Sequence, residues 1–521
     1  MKLQIFDSTL RDGAQGANIS FSVEDKLKVI RTLDDLGVDF IEAGNPFSNP
    51  AEMQFFQRIA GLKLAHAKIV AFGSTRRKGI LPAEDGNLKS LLAAGTEYVA
   101  IFGKSHIRHA TDVLKAAPEE NLAMIGESVR FLTENGKKVV FDAEHFFDGY
   151  KTDAEYAMRA LESAAQAGAV TLCLCDTNGG IFPDEARAIT EKVVQKFPQL
   201  TVAIHCHNDG DLAVANSIAA VDAGARQVQG TLLGFGERCG NVNLCSVICN
   251  LQLKRGYECI PPDHLKEMYG CAMALAETAN AAIPPNQPYV GMNAFAHKAG
   301  MHADGVLKYS SSFEHVDPEA IGNKRKFLLS EISGKSAIYD KLKNYFPSLD
   351  KNGKEMGEIV SALKDRALAG YQYEAAEASF VLLVEKILGK YKNSFDLISY
   401  KIISEQPAIE GKVASAIVKI RVNGATKIAA ADGEGPVHAM DLALRAALSD
   451  FYPEIARMSL VDFKVRVLAS DKATAAKVRV LITSADSADS WTTVGVSEDV
   501  IEASWIALTD SIDYALMRRE R

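Results

Sequence analysis

The chain has 521 residues, 47% hydrophobic and 24% charged, with 58 Lys and Arg against 66 Asp and Glu, a formal net charge of −8. At about 150 residues per domain this is three to four domains of ordinary globular composition, which excludes wholesale disorder and argues against a nucleic-acid-coating protein. Eight cysteines without a Cys-x-x-Cys pair are too dilute for a disulfide scaffold, and no run reaches the roughly 18 apolar residues of a membrane span. The N-terminal MKLQIFDSTLRDG does not read as a signal peptide. The expectation is a soluble, cytoplasmic protein with reduced thiols and neither nucleic-acid nor membrane partners.

From the N-terminus, short apolar runs alternate with amphipathic stretches. The runs are LQIFD (3–7), DFIEAG (39–44), KIVAFGS (68–74), YVAIFG (98–103), KVVFDAE (138–144), TLCLCD (171–176), TVAIHCH (201–207) and QVQGTLLG (227–234). They are continuous rather than alternating, as expected of strands buried on both faces. Between the first two lies FSVEDKLKVIRTLDDLGV, with Val23, Leu27, Ile30 and Leu33 at helical spacing. Ser22 with Asp25 resembles a capping box, and Gly37 is a plausible stop. Eight strand–helix units in about 250 residues predict a (β/α)8 TIM barrel. A doubly wound sheet is the alternative, weakened because no G-x-G-x-x-G follows the first strand.

In a barrel, the C-terminal strand ends build the site. Here they carry Asp7 to Asp12, Glu42, Asn45, Arg76, Arg77, Asp142, Glu144, Asp176 to Asn178, His205 to Asp209 and Glu237 to Asn241. So many ionisable groups on apolar strands are costly to desolvate, and a shared site accounts for them. His205 and His207 are two apart on a strand and face one side, a divalent-metal arrangement. Alone, His-x-His could be two satisfied strand histidines. Asp12, at the end of a nearby strand, would complete a two-His, one-carboxylate set, and Asn241 could add an amide oxygen. Arg11 reads either as a barrel-mouth salt bridge or as a guanidinium that stabilises a developing oxyanion.

Beyond the barrel, ETANAAIPPNQPYVGMNAF (277–295) reads as a linker. Residues 296–390 look mainly helical, with EIVSALKDRALAGYQYEAAEASFVLLVEKIL as the longest candidate. From about 395 the texture changes to strand, Gly turn and helix, and it repeats about 64 residues later. LISYKI (397–402) matches LVDFKV (460–465), and two βββα-like units are predicted. The expected division is 1–270 barrel, 271–392 helical linker subdomains, and 393–521 C-terminal α+β domain, to which the resemblance described next assigns a regulatory or dimerisation role.

DSTLRDGAQ (7–15), HCHND (205–209), GFGERCGNVNL (234–244) and HKAGMHADGV (297–306) resemble the Claisen-condensing branch of the DRE-TIM metallolyase superfamily. That branch contains the 2-isopropylmalate, homocitrate and citramalate synthases. RDGAQGANISFSVEDKL (11–27), FGSTRRKG (72–79), FDAEHFFDGYK (141–151) and GNKRKFLLSEISGKSA (322–337) are similar to the citramalate synthases in particular. The resemblance implies condensation of acetyl-CoA with pyruvate to (R)-citramalate and CoA. It implies a divalent ion (Mn, Mg or Zn) on Asp12, His205, His207 and Asn241. Arg11 would polarise the keto oxygen, Thr177 would bind the pyruvate carboxylate, and Glu144 would order the network. His302 matches the family's catalytic histidine, with Asp304 close behind. It further implies a homodimer whose site is completed in trans, and an effector amino acid, isoleucine, at the C-terminal domain, where DGEGPVHA (432–439) is the most characteristic piece. One departure stands out: AGNPFSNP (43–50) replaces a segment resembling GGWPGSNP, which bears on substrate identity. The alternatives are another 2-oxo acid, an acyl-CoA lyase, or a non-catalytic amino-acid sensor.

Overall fold

The computed structural model describes residues 1–298, 300–328, 335–409, 412–468, 476–486 and 489–520. The predicted alternation closes into a barrel of eight parallel strands, β1 (Gln4–Asp7), β2 (Phe40–Gly44), β3 (Lys68–Ser74), β4 (Tyr98–Lys104), β5 (Lys138–Glu144), β6 (Thr171–Asp176), β7 (Thr201–Cys206) and β8 (Gln227–Gly230). β1 pairs with both β2 and β8, which excludes the open sheet. The first helix (Val23–Leu36) starts at the Ser22–Asp25 capping box and stops at Gly37, as its sequence predicts. β8 ends four residues short of the predicted run. Thr231 N bonds to Val242 O and Gly234 N to Thr231 O, so TLLG turns back toward the following loop instead of extending.

Phe6, Phe40, Val70, Ala100 and Val140 pack together inside the barrel as its floor. Side chains two residues further along each strand face the same interior. That parity raises Glu42, Phe72 and Asp142 above the floor, with Cys175, His205 and Gln229 on the opposite wall. Among the described residues, no helix is long and apolar enough to cross a membrane. All eight cysteines are free, and of these Cys239 is exposed.

The linker reading of 277–295 is corrected. Tyr289, Val290 and Phe295 are buried in the same core as the barrel helices. Tyr289 donates to Asn250 Oδ1 at 2.8 Å, and Asn323 Nδ2 donates to Tyr289 O at 2.8 Å. The Pro/Asn turns serve to bring apolar side chains back onto the barrel.

The chain forms two compact units, residues 1–295 with 315–325, and 296–314 with 326–521. The second unit contains the short parallel pair β9 (Ala296–His297) and β10 (Lys326–Phe327). The predicted long helix is two helices, Lys354–Leu368 and Glu377–Ile387. Gly370, at φ +103°, ends the first with a backbone turn that residues with a Cβ rarely adopt. The C-terminal repeat takes the predicted form. β11 (Asp396–Ile409), β12 (Lys412–Val422) and β13 (Ala425–Gly433) form one antiparallel sheet, followed by the helix Pro436–Leu448. β14 (Ser459–Val467), β15 (Val478–Ala485) and β16 (Ser490–Ser497) form the other, followed by the helix Val500–Glu520. Ala416, Val418 and Ile420 alternate inward along β12 and bury with Met440 and Leu444 of the first helix.

Candidate active site

The turn after β1 decides where two charged neighbours point. The backbone N–H groups of Arg11, Asp12 and Gly13 all donate to Ser8 O, at 2.9 to 3.1 Å. This tight turn aims Asp12 and Arg11 at one place, although adjacent residues on a strand would diverge. Asp12 Oδ2 lies 3.2 Å from His205 Nε2 and 3.8 Å from His207 Nε2. All three side chains are buried, with their ligand atoms within 4.8 Å of one another. Arg11 Nε donates to Glu42 Oε2 at 2.7 Å, its Nη1 lies 3.5 Å from Asp12 Oδ1, and its guanidinium sits 3.9 Å above the Phe72 ring. The salt-bridge and oxyanion readings of Arg11 are therefore not exclusive: Glu42 holds one edge of the guanidinium.

The backbone of Asn241 pairs with that of His207 in a β-bridge between the segments that follow β7 and β8. Asn241 Nδ2 donates to Phe235 O at 3.2 Å, while its Oδ1 is buried without a partner. A Cβ at Gly236 would collide with the Asn241 amide, so the close approach requires glycine there. A buried carboxylate, two imidazoles and an orphaned amide oxygen form a donor set that suits a divalent cation.

Burial raises the Asp12 carboxyl, but Arg11 and the two imidazoles outweigh it and hold the group well below the usual carboxylate range. Burial pushes His207 down to about 4, aided by His205, leaving it neutral near pH 7. His205 is raised: burial opposes protonation, and the bond to Asp12 overcomes it. Deeper in the barrel, burial and then the Glu42 charge lift Asp142 to about 7.

Thr177 follows β6, and its Oγ1 accepts from His145 N at 2.9 Å, which leaves the hydroxyl hydrogen available to a ligand. Glu144 ends β5 and pairs with Lys104 at the end of β4. Asn45 Oδ1 accepts from Phe47 N at 2.9 Å, and Arg77 stands 5.7 Å above the exposed Phe47 ring. The departing segment therefore shapes the outer rim. His302 and Asp304 lie on the helix Gly300–Lys308 of the second unit. His302 is exposed and stacks on Phe313 at 4.1 Å, while Asp304 accepts from Lys308 at 2.6 Å. His297 Nε2 lies 2.9 Å from Glu314 Oε1, a buried pair.

The first unit thus brings Arg11, Asp12, His205, His207 and Asn241 together, with Thr177 and Glu144 at strand ends on the same face. Sequence reasoning counted Glu42 and Asp142 among the strand-end groups of a shared site without giving either an individual role, and passed over Gln229. That Glu42 faces inward toward Arg11 could have been found from its position two residues past Phe40 on the same strand. Gln229 carried only the weak signal of an amide inside an apolar run.

Three family models match the chain: HMGL-like over residues 2–270, homocitrate synthase post-HMGL domain-like over 289–370, and LeuA allosteric (dimerisation) domain over 374–516. The (R)-citramalate synthase of Aquifex aeolicus is 48% identical over 520 residues, which covers 100% of this chain and 98% of the relative. The (R)-citramalate synthase of Geobacter sulfurreducens is 44% identical, covering 99% and 98%. The chain belongs to the (R)-citramalate synthase family. It is an enzyme of the acyltransferase condensation type. The 2-isopropylmalate synthase of Methanocaldococcus jannaschii is more distant, 31% identical over 100% of this chain and 96% of the relative. Within the citramalate synthase family, the cluster around Asp12 is the natural place to look for the chemistry.

Proposed function

We propose that this enzyme condenses acetyl-CoA with pyruvate to give (R)-citramalate and CoA. One observation carries the reading: Asp12, His205 and His207 converge beside the half-buried Arg11, with the orphaned Asn241 Oδ1 at the same mouth. Those four ligands would hold a divalent ion (Mn, Mg or Zn), which when bound would act as a Lewis acid and a template for a chelated 2-oxo acid.

Arg11, fixed by Glu42, faces the keto oxygen and stabilises negative charge as it develops there. Thr177 donates its free hydroxyl hydrogen to the pyruvate carboxylate. Glu144, paired with Lys104, orders the rim where the thioester enters. His302 takes a proton from the acetyl methyl group, with Asp304 beside it. The resulting enolate carbon bonds to the keto carbon, and water then cleaves the thioester to release CoA. The match of residues 374–516 to a dimerisation domain supports a homodimer, in which the His302 segment serves the partner's barrel. The division into 1–270, 271–392 and 393–521 assigns catalysis, the catalytic-histidine segment, and regulation by isoleucine in that order. We place the enzyme in the cytoplasm.

The test is CoA release, read with a thiol reagent, with pyruvate, 2-oxoisovalerate and 2-oxoglutarate offered separately, with and without Mn²⁺. Release with pyruvate alone, abolished by a chelator and reduced by isoleucine, is expected. Release with a bulkier oxo acid would keep the mechanism and move the substrate, and no release with any of the three would overturn the reading.

A further inference from the structure

The barrel interior holds a polar chain that no step above uses. Gln229 on β8 is buried, and its amide reaches two other strands. Its Nε2 donates to Asp142 Oδ1 on β5 at 3.2 Å, and its Oε1 lies 3.2 Å from His205 Nδ1 on β7. β5 and β8 are not neighbours around the barrel, so this contact crosses the lumen. An amide has one donor end and one acceptor end. The Asp142 carboxylate takes the donor end, so the acceptor end faces His205. His205 then keeps a proton on Nδ1, which leaves Nε2, the atom bonded to Asp12 at 3.2 Å, as the nitrogen that would face an ion. His207 has no such partner, and its buried Nδ1 makes no hydrogen bond.

We propose that Gln229, held by Asp142 across the barrel lumen, is a positioning residue that fixes the tautomer and ring angle of His205 and makes it the anchoring ligand of the metal centre. The inference rests on the metal-centre reading above. An imidazole free to rotate, or to carry its proton on Nε2, would have to reorganise before it could bind an ion. An outer acceptor removes that step and makes the ligand more basic.

The experiment titrates metal-free protein with Mn²⁺ alone and reads the free ion by electron paramagnetic resonance, with folding of each variant checked by circular dichroism. Gln229→Met keeps the side-chain length and removes both hydrogen bonds, and is expected to weaken Mn²⁺ binding by about 10- to 100-fold. Asp142→Asn keeps the shape but lets the Gln229 amide flip, and is expected to weaken it by about tenfold. Val140→Ala, on the same strand and interior face, should lower the melting temperature and leave Mn²⁺ affinity within about twofold, because it removes packing without touching the relay. If Gln229→Met does not fold, Asp142→Asn decides alone. Wild-type affinity in the folded variants would overturn this inference and leave the metal centre standing. A wild-type chain that takes up no Mn²⁺, Mg²⁺ or Zn²⁺ would remove the metal-centre reading first, and this inference with it.

Discussion

The barrel mouth and the C-terminal sheets break opposite rules of burial. The barrel encloses Glu42, Asp142, His205 and Gln229 with almost no exposure, in an interior that could have been filled with aliphatic side chains. The C-terminal sheets do the reverse: Ile428 on β13 and Val461 and Val467 on β14 are 57%, 57% and 55% exposed. Along β14, Val461, Phe463, Val465 and Val467 recur at the strand period, so among the described residues one face of the strand is apolar and 39% to 57% exposed. Buried charge is costly unless it is paired, and exposed apolar surface is costly unless it is covered, so each region departs from what stability alone would select. The contrast sets a buried polar cluster in the first unit against exposed apolar strands in the second.

The largest effects should come from the mouth. Asp12→Asn should reduce CoA release to background and abolish Mn²⁺ uptake, measured on the same preparation. Arg11→Gln should lower kcat by about 10²–10³-fold, as loss of an oxyanion-stabilising group does. It should also destabilise the fold by about 3–5 kcal/mol, because Glu42 is left buried without its partner. Denaturant titration of Arg11→Gln with and without Glu42→Gln measures that share, and equal stability of the two would show that the pair is not a structural unit.

Leu444→Ala probes the other side of the comparison. Leu444 is fully buried among β12 and its own helix, and truncation should cost about 2–5 kcal/mol. Turnover per folded molecule should stay near the wild-type rate in a coupled thiol assay. A collapse of turnover with the fold intact would end the separation of roles. The Val461→Lys, Val465→Lys double variant should shift self-association, raising the dimer dissociation constant by about tenfold or more, as sedimentation would show.

A further effect is electrostatic and is read as a slope with pH. Burial raises Asp7 to about 7 from an ordinary 3.8, against the bonds it accepts from Thr9. The folded chain therefore holds that proton more tightly than the unfolded one. The contribution is fully present below about pH 3.8 and is lost as pH rises through about 7. His207 works in the opposite direction. Its folded value near 4 lies below the ordinary 6.5, so its contribution is present above 6.5 and lost as pH falls toward 4. In metal-free protein, Asp7→Asn should flatten the loss of stability between pH 4 and 7, measured by thermal unfolding across that range. An unchanged profile would remove Asp7 from the account.

Much of the barrel was legible because a strand buried on both faces leaves a continuous apolar run, and eight such runs have few ways to close. The convergence of His205 and His207 was legible because the pair signals its shared face within three residues. The role of Glu42 was not, because its bond to Arg11 joins residues 31 apart and no local pattern announces a partner at that range. Gln229 was hidden for the same reason: its two contacts lie 87 and 24 residues away. The segment 277–295 misled because turn residues mark where a chain bends and say nothing of what the apolar residues between the turns will touch.

Local periodicity, capping and spacing therefore determined the element order, the repeat in the second unit and the types of group at the strand ends. Those are properties of neighbours along the chain, set by sterics and by which face an apolar side chain shares. Barrel closure decided the rest: which carboxylate holds Arg11, which amide meets His205, and that Asn241 is left with an unpartnered oxygen at the mouth. Such pairings form only when strands far apart in sequence enclose one low-dielectric space, where each buried polar group must find its partner across the lumen.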